Sequence, residues 1–271
     1  MDSYPLTLSY WSNVIAIGDV AGDIITLDAT TGSRIAVLSG HTEGVFCVTL
    51  LSDGRSLASG AADCTVKLWD IQTGGVVRTF HDHTGYVWFV SISTDCTRIV
   101  SGSNGQVMCL WDIQTGECLC TIKQQASVYH VMFSPIDPQH IISISGGKVW
   151  EWDPNGQQIQ PTYNGTHIAF SPDCTKFALC DGGVVTVQDL KSRVIETQFH
   201  IDVGDAPYCC FSPDGWLIAT AVDSTVYVWD ITNPDSHLVW TLVGNNVEIR
   251  SLIFSSLSSL VSTSIDQSVR F

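Results

Sequence analysis

Basic side chains are scarce in this sequence. Its 271 residues include 12 Lys and Arg against 27 Asp and Glu, which gives a formal net charge of −15. Because so acidic a surface repels phosphate groups, we expect neither nucleic acid nor an anionic membrane surface as a partner. The same charge favours a protein or peptide partner that is basic.

The sequence also lacks any apolar run near the roughly 18 residues that suggest a membrane-spanning helix. Residues Met1–Pro5 show neither the basic nor the apolar region of a secretory signal, so no signal peptide is expected. Ten cysteines are scattered without a Cys-x-x-Cys pair, a pattern typical of reduced thiols. Together these absences predict a cytoplasmic location.

A dipeptide of the Trp-Asp type returns along the chain at a nearly constant interval of 36 to 42 residues. Its copies, some of them degenerate, are Leu27-Asp28, Trp69-Asp70, Trp111-Asp112, Trp152-Asp153, Gln188-Asp189 and Trp229-Asp230. A fixed period of this length indicates a ring-shaped or stacked repeat. Such repeats usually supply a rigid surface for binding partners.

The second copy of the repeat shows its internal organisation most clearly. Four β-rich runs alternate with turns rich in Gly, Asp and Ser, which predicts a four-stranded antiparallel meander. The four runs are Val45–Leu50, Ser56–Gly60, Thr65–Asp70 and Val76–Phe80.

These residues resemble the WD-repeat β-propeller family. The Gly40-His41 start, the Ser52–Gly54 turn, the segment from Ser59 to Asp63 and the Trp69-Asp70 end stand in the order of that family's motif. The resemblance covers essentially the whole chain and implies a ring of blades around a channel. The run from Leu110 to Leu119 is also similar to WD repeats of large fungal proteins that carry a NACHT-type domain.

The resemblance therefore predicts an all-β, seven-bladed propeller of four-stranded antiparallel blades in a single domain, 1–271. The expected blades are 1–39, 40–81, 82–123, 124–161, 162–199, 200–243 and an incomplete 244–271. By register, the Trp paired with Asp266 would follow Phe271. We accordingly expect the last blade to lack its outer strand and the chain to belong to a longer protein.

His41, Ser59 and Asp63 have the residue types of an activated serine nucleophile. The resemblance implies another role for them, a structural hydrogen-bonded tetrad with Trp69 inside one blade. Nothing in the sequence indicates the oxyanion site that a catalytic triad requires. We therefore expect no catalytic residue here.

Other blades keep only part of this tetrad. The third has His83, Ser101 and Trp111, with Gly105 in place of the aspartate. In the sixth, the alignment puts Asp202 and Ala219 in the His and Ser positions, together with Asp223 and Trp229.

Metal and cofactor sites are not expected. The run His81-Asp82-His83 has no third ligand clustered nearby. The run Ser145–Lys148 lacks the Gly-Lys-Ser/Thr end and the glycine spacing of a phosphate-binding loop.

Binding is the better prospect, because partners of this family usually dock on the face that holds the loops before the first strand and between the second and third. An aromatic anchor with an acidic rim there suits a peptide that carries Lys or Arg. The residues expected on that face are Glu43, Ala62, Tyr86, Trp88, Asn104, Ser127, Asp181, Asp205, Asp223 and Asp266. The function predicted is a non-catalytic interaction scaffold or sensor domain; the alternative is a propeller enzyme, such as a hydrolase or lyase, with its site at the channel mouth.

Overall fold

The computed structural model describes residues 5–11, 13–135, 137–201, 208–232, 237–244, 247–256, 259–264 and 269–270. Across these ranges the chain forms 27 β-strands and no helix. The strands make seven antiparallel sheets, in which neighbours in sequence are neighbours in space.

The sheets are numbered from first to seventh along the chain. The first sheet is β1 (Pro5–Trp11), β2 (Val14–Asp19), β3 (Asp23–Asp28) and β4 (Arg34–Ser39); the second is β5 (Val45–Leu50), β6 (Ser56–Ala61), β7 (Val66–Asp70) and β8 (Val76–Phe80); the third is β9 (Val87–Ile92), β10 (Arg98–Ser103), β11 (Val107–Asp112) and β12 (Cys118–Lys123); the fourth is β13 (Val128–Phe133), β14 (Ile141–Ser145), β15 (Lys148–Trp152) and β16 (Gln158–Asn164). The fifth is β17 (His167–Phe170), β18 (Lys176–Asp181), β19 (Val184–Asp189) and β20 (Ile195–His200); the sixth is β21 (Tyr208–Phe211), β22 (Leu217–Val222), β23 (Thr225–Asp230) and β24 (His237–Val243); the seventh is β25 (Ile249–Ser256), β26 (Ser259–Ser264) and β27 (Val269–Arg270).

The chain divides into two compact units. The first comprises Met1–Gly146 and Trp150–Thr162, and it holds the first three sheets and most of the fourth. The second comprises Gly147–Val149 and Tyr163–Phe271, and it holds the fifth, sixth and seventh sheets.

In each unit the core lies between successive sheets. Phe80 of the second sheet packs on Trp111 of the third, with ring centroids 5.2 Å apart. In the second unit, Phe199 of the fifth sheet stacks on Trp229 of the sixth at 4.5 Å. Tryptophan thus recurs in the sequence because it fills the space between one sheet and the last strand of the sheet before it.

The second strands of the second and third sheets each contain a Ser-Gly pair, and packing explains why its second residue is glycine. The second strand of each complete sheet is almost wholly buried, and β6 and β10 share the same burial pattern. A Cβ atom built on Gly60 would lie 2.5 Å from Cγ1 of Val87, at the start of the next sheet. Gly102 meets Val128 in the same way, at 2.7 Å. Glycine is needed at these two positions because the neighbouring strand leaves no space for a side chain.

The predicted all-β fold is confirmed, and seven consecutive antiparallel sheets are consistent with a seven-bladed propeller. Two predicted boundaries fall inside strands, since β16 continues to Asn164 and β20 to His200. The single-domain assignment and the expectation of a longer protein stay predictions. In the described part of the chain, no helix is long and apolar enough to cross a membrane.

A candidate protein-binding surface

Four side chains of the second sheet form a hydrogen-bonded chain. The Trp69 indole N–H donates to Ser59 Oγ at 2.8 Å, and Ser59 Oγ lies 2.7 Å from His41 Nε2. His41 Nδ1 is 2.8 Å from Asp63 Oδ2. The structure therefore brings the four residues of the expected tetrad together, and it ties the loop before β5 to the connection between β6 and β7.

Asp63 is ionised in this setting. Burial alone would raise the pKa of its carboxyl, but hydrogen bonds from His41 and Thr65 and the charge of His41 outweigh that effect and hold it well below its usual range. Ser59 is 0% exposed, so its hydroxyl has no route to a substrate. The arrangement stabilises a blade and cannot act as a serine nucleophile.

The third sheet repeats most of this network. Trp111 Nε1 donates to Ser101 Oγ at 2.8 Å, and His83 Nε2 lies 2.6 Å from the same oxygen. With Gly105 in the aspartate position, His83 Nδ1 is buried without a hydrogen-bond partner in the described part of the chain. Burial lowers the pKa of His83 to about 4, which the nearby charge of Asp82 only partly offsets. The imidazole is therefore neutral at physiological pH.

The fourth sheet contains a variant that sequence reasoning missed. Gln124 Nε2 donates to Ser143 Oγ at 2.8 Å, and Trp152 Nε1 donates to the same oxygen at 2.9 Å. Gln124 thus takes the place of the histidine. The available signal was its position, 41 residues after His83, but glutamine is not part of the motif that was sought.

In the sixth sheet the predicted position of the serine equivalent was wrong. Ile218 pairs with Trp229 as Leu57 pairs with Trp69, so the equivalent of Ser59 is Thr220 and not Ala219. Trp229 Nε1 donates to Thr220 Oγ1 at 3.2 Å. The physical reason is a shorter hairpin between β22 and β23. Its turn includes Asp223 at a φ of +50°, so Asp223 does not correspond to Asp63.

In the second, third and fourth sheets, the second residue of the first strand is aromatic. Each of these three residues lies in a β-bulge. Val45 pairs with Ala61 and Cys47 with Gly60, which leaves Phe46 between two ladder positions. Trp88 in β9 and Tyr129 in β13 occupy the equivalent places. A bulge residue is freed from strand pairing and its side chain is aimed away from the regular alternation.

The three bulge residues and Tyr86 form a continuous cluster, called the aromatic row below. The ring centroids of Phe46 and Trp88 are 4.4 Å apart, and those of Trp88 and Tyr129 are 6.5 Å apart. Tyr86 lies 6.5 Å from Trp88, edge to face. Tyr86 is 44% and Tyr129 58% exposed, while Phe46 and Trp88 are half-buried. The buried indole N–H of Trp88 has no partner among the described residues.

The loops at this end of the first unit carry only negative charge, although exposed Lys123 and Lys148 stand at the adjoining strand ends. The connections that meet there are 40–44, 62–65, 81–86, 104–106 and 124–127. They contain Glu43, Asp63 and Asp82 and no Lys or Arg. Asp63 is held by His41, whereas Glu43 and Asp82 are exposed. The aromatic row is therefore flanked by two free carboxylates.

Backbone contacts hold several of the predicted surface residues together. The Asn104 N–H donates to the Tyr86 carbonyl at 3.0 Å, and Ser127 Oγ donates to the Asn104 carbonyl at 3.3 Å. The Ala62 N–H donates to the Gly44 carbonyl, next to Glu43. Sequence reasoning named Tyr86 and Trp88 but missed Phe46 and Tyr129, although Phe46, Trp88 and Tyr129 are spaced by 42 and 41 residues.

The other predicted surface residues belong to the second unit. Asp181 and Asp223 are exposed at the turns after β18 and β22. Asp205 and Asp266, and Asp202 of the degenerate sixth tetrad, lie outside the described residues. Within the described part of the chain, no group of three His, Cys, Asp or Glu side chains is arranged to hold a metal ion.

Comparison with known proteins agrees with this repeating geometry. The family model "WD domain, G-beta repeat" matches residues 32–70, 74–112 and 201–230. The first two matches each run from the last strand of one sheet to the third strand of the next. These three segments of the chain are WD repeats. WD repeats are typically protein-interaction scaffolds, and WD-repeat proteins generally bind other proteins.

Two curated proteins show local similarity to this WD-repeat chain. A 34-residue stretch is 53% identical to Notchless protein homolog of Arabidopsis thaliana, covering 12% of this chain and 7% of that protein. A 46-residue stretch is 39% identical to Intraflagellar transport protein 122 homolog of Xenopus tropicalis, covering 17% of this chain and 4% of that protein. The chain therefore matches only a small part of either relative's length.

Proposed function

We propose that this WD-repeat chain is a non-catalytic protein-interaction module that binds a protein or peptide through the aromatic row. The observation that carries the proposal is the placement of Phe46, Trp88 and Tyr129 at equivalent β-bulges of three successive sheets. Large aromatic side chains on rigid strands are typical anchors of protein interfaces, because they bury much area and lose little conformational entropy.

The proposed partner carries Lys or Arg. A cation gains from the face of an aromatic ring, by about 0.5–2 kcal/mol according to how far it is desolvated. Glu43 and Asp82 add carboxylates beside the row, and no Lys or Arg stands in the connections at this end to repel a basic segment. The net charge of −15 also raises the rate of encounter with a basic partner.

We further propose that the module works in the cytoplasm. All ten cysteines are free thiols in the structure. An oxidising compartment favours disulfides, whereas reduced thiols are ordinary in the cytosol. Fractionation of cells that express the tagged chain would test this, and recovery with secreted proteins would contradict it.

The test of the binding proposal uses an array of short peptides in which Lys, Arg, Glu or neutral residues occupy the central position. The chain should bind basic peptides in preference to acidic ones. Trp88→Ala should weaken the binding about tenfold or more, because the central ring of the row is lost. Affinity is measured by fluorescence anisotropy with labelled peptides.

Trp216 provides the matched control, since it is 64% exposed in the turn before β22 in the second unit. Trp216→Ala removes the same side chain and should leave peptide affinity unchanged. Equal losses in Trp88→Ala and Trp216→Ala, or selection of acidic peptides, would refute the proposed surface. Circular dichroism of each variant establishes that the fold is retained.

A further inference from the structure

His83 presents an unusual buried atom. The residue is 5% exposed, and its Nδ1 has no hydrogen-bond partner among the residues that the structure describes. On the other side of the ring, Nε2 lies 2.6 Å from Ser101 Oγ, which already accepts the Trp111 indole N–H. Ser101 can therefore donate its own proton to Nε2, and in that arrangement the ring proton stands on Nδ1. A buried N–H without an acceptor is energetically unfavourable.

The second sheet shows which group fits such an atom. There, Asp63 Oδ2 accepts hydrogen bonds from His41 Nδ1 at 2.8 Å and from the Thr42 N–H at 3.1 Å. Asp63 Oδ1 accepts from the Thr65 N–H at 3.0 Å and from its hydroxyl at 2.7 Å. A carboxylate is the complementary group because it accepts several hydrogen bonds and donates none.

The third sheet offers most of this frame without the carboxylate; Val107 stands in the place of Thr65, so its hydroxyl is absent. His83 and Thr84 correspond to His41 and Thr42, and Gly105 corresponds to Asp63. A Cβ atom on Gly105 would lie 3.3 Å from Ser103 Oγ and 3.3 Å from Thr84 Oγ1, so two hydroxyls border the position. Gly105 and Thr84 are exposed whereas His83 Nδ1 is buried beneath them, so a ligand would enter past these two residues.

We propose that the third sheet binds a carboxylate supplied by a ligand, between His83 and Gly105, in the place that the Asp63 side chain fills in the second sheet. The carboxylate accepts the Nδ1–H of His83 and completes the network with a group from outside the chain. Its source is either a small free carboxylate or an Asp or Glu side chain of a bound protein. The proposal does not depend on the aromatic row, although Tyr86, a member of that row, lies in the same connection as His83.

Thermal unfolding of the full chain in sodium acetate and in sodium chloride of equal ionic strength provides the first test. Acetate should raise the midpoint of the wild type by a few degrees more than chloride does. Gly105→Asp supplies its own carboxylate, so its midpoint should not respond specifically to acetate. An equal response of wild type and Gly105→Asp, or none in the wild type, would overturn the proposal.

A spectroscopic test does not depend on the folding of any variant. In wild-type protein labelled with ¹⁵N-histidine, acetate should shift the Nδ1 resonance of His83 and leave that of His41 unchanged, because Asp63 already holds His41. Asp82→Asn removes a neighbouring negative charge and should lower the acetate concentration needed for half of the shift. The absence of any His83 shift up to 100 mM acetate would refute the site.

Two peptides distinguish the sources. Acetyl-Ala-Asp-Ala-amide should displace acetate and bind more than tenfold more tightly if a protein side chain is the ligand, and the Asn analogue should not bind. Binding of acetate without binding of the Asp peptide would assign the site to small free carboxylates. Failure of both probes to perturb His83 would refute the proposal for either source.

Discussion

The second and third sheets share most of one network but differ at two of its positions, where Gly105 replaces Asp63 and Val107 replaces Thr65, and the difference shows what each part contributes. Both sheets keep the chain from tryptophan through serine to histidine, with hydrogen bonds of 2.6 to 2.8 Å. The second sheet adds Asp63, which also accepts the Thr42 N–H. The third sheet has Gly105 and leaves His83 Nδ1 unpaired. The tryptophan, serine and histidine thus hold the strands together. The carboxylate binds the loop before the first strand through the Thr42 N–H, and it supplies the partner of the buried histidine Nδ1.

The fourth sheet extends this comparison. Its histidine position holds Gln124, yet Ser143 still accepts from both Gln124 and Trp152. The serine–tryptophan pair is therefore common to three successive sheets, and the side chain on its other side varies. This graded series makes the contribution of each member measurable.

Asp63→Ala should have the largest effect, because it converts the complete network into the incomplete one. Removing the carboxylate leaves the buried His41 Nδ1 and the Thr42 N–H without their charged acceptor, which costs about 3 kcal/mol. The expected loss of unfolding free energy is measured by urea denaturation, with peptide binding at the aromatic row unchanged. An unaltered melting temperature would show that the carboxylate contributes nothing to stability.

Acid should destabilise the third sheet, through His83, and the second sheet, through Asp63, in different pH ranges. Burial lowers the pKa of His83 from 6.5 to about 4, and it lowers that of His167 to the same value. Between these values the unfolded chain binds more protons, so stability falls as the pH decreases from about 6.5 to 4, by about 3 kcal/mol for each histidine. The lowered pKa of Asp63 acts in the same direction, because stability is again lost as the pH falls, but this loss begins only below the ordinary aspartate value of 3.8.

Denaturation curves at pH 7 and pH 4.5 measure this acid sensitivity. His83→Gln is the matched variant, because an amide already occupies this place in the fourth sheet. Its stability should change less between the two pH values than that of the wild type. An undiminished pH dependence in His83→Gln would assign the sensitivity to other groups.

Gly105→Asp should have a smaller effect of opposite sign. The new carboxylate pairs with His83 Nδ1, and we expect a gain of about 1 kcal/mol in unfolding free energy. The Ser103 and Thr84 hydroxyls bordering the new Cβ can rotate to accommodate it. Gly105→Ala adds the Cβ without the carboxylate and is the control. Equal stability of the two variants would show that the unpaired imidazole costs little.

The sequence was most informative where spacing alone decides the structure. The six Trp-Asp copies mark the third strands of the first six sheets, and the His, Ser, Asp and Trp spacing of the second sheet identified residues that the fold brings into contact. Thr220 was not identified as the equivalent of Ser59 because the hairpin between β22 and β23 is one residue shorter. Counting back from Asp223 therefore leads to Ala219 instead. The role of Gln124 depends on an amide replacing an imidazole, which a search for the motif does not recognise.

The aromatic row could be predicted only in part, for a different reason. Strict strand alternation does not reveal that Phe46 and Tyr129 join Trp88, because a β-bulge interrupts the pairing at each of these positions. Tyr86 and Trp88 could be predicted because an aromatic residue near the start of a first strand is a candidate binding anchor by its residue type alone. The roles of Asp205 and Asp266 stay predictions, since both lie outside the described residues.

The bulges have a consequence for how such a surface can diversify. A residue between two ladder positions takes no part in strand pairing, so its side chain can be exchanged while the sheet beneath keeps its hydrogen bonds. Phe46, Trp88 and Tyr129 are three such positions on the first strands of three successive sheets in one compact unit. A new binding preference would then require three substitutions, far apart in sequence, on a scaffold that need not refold to accept them.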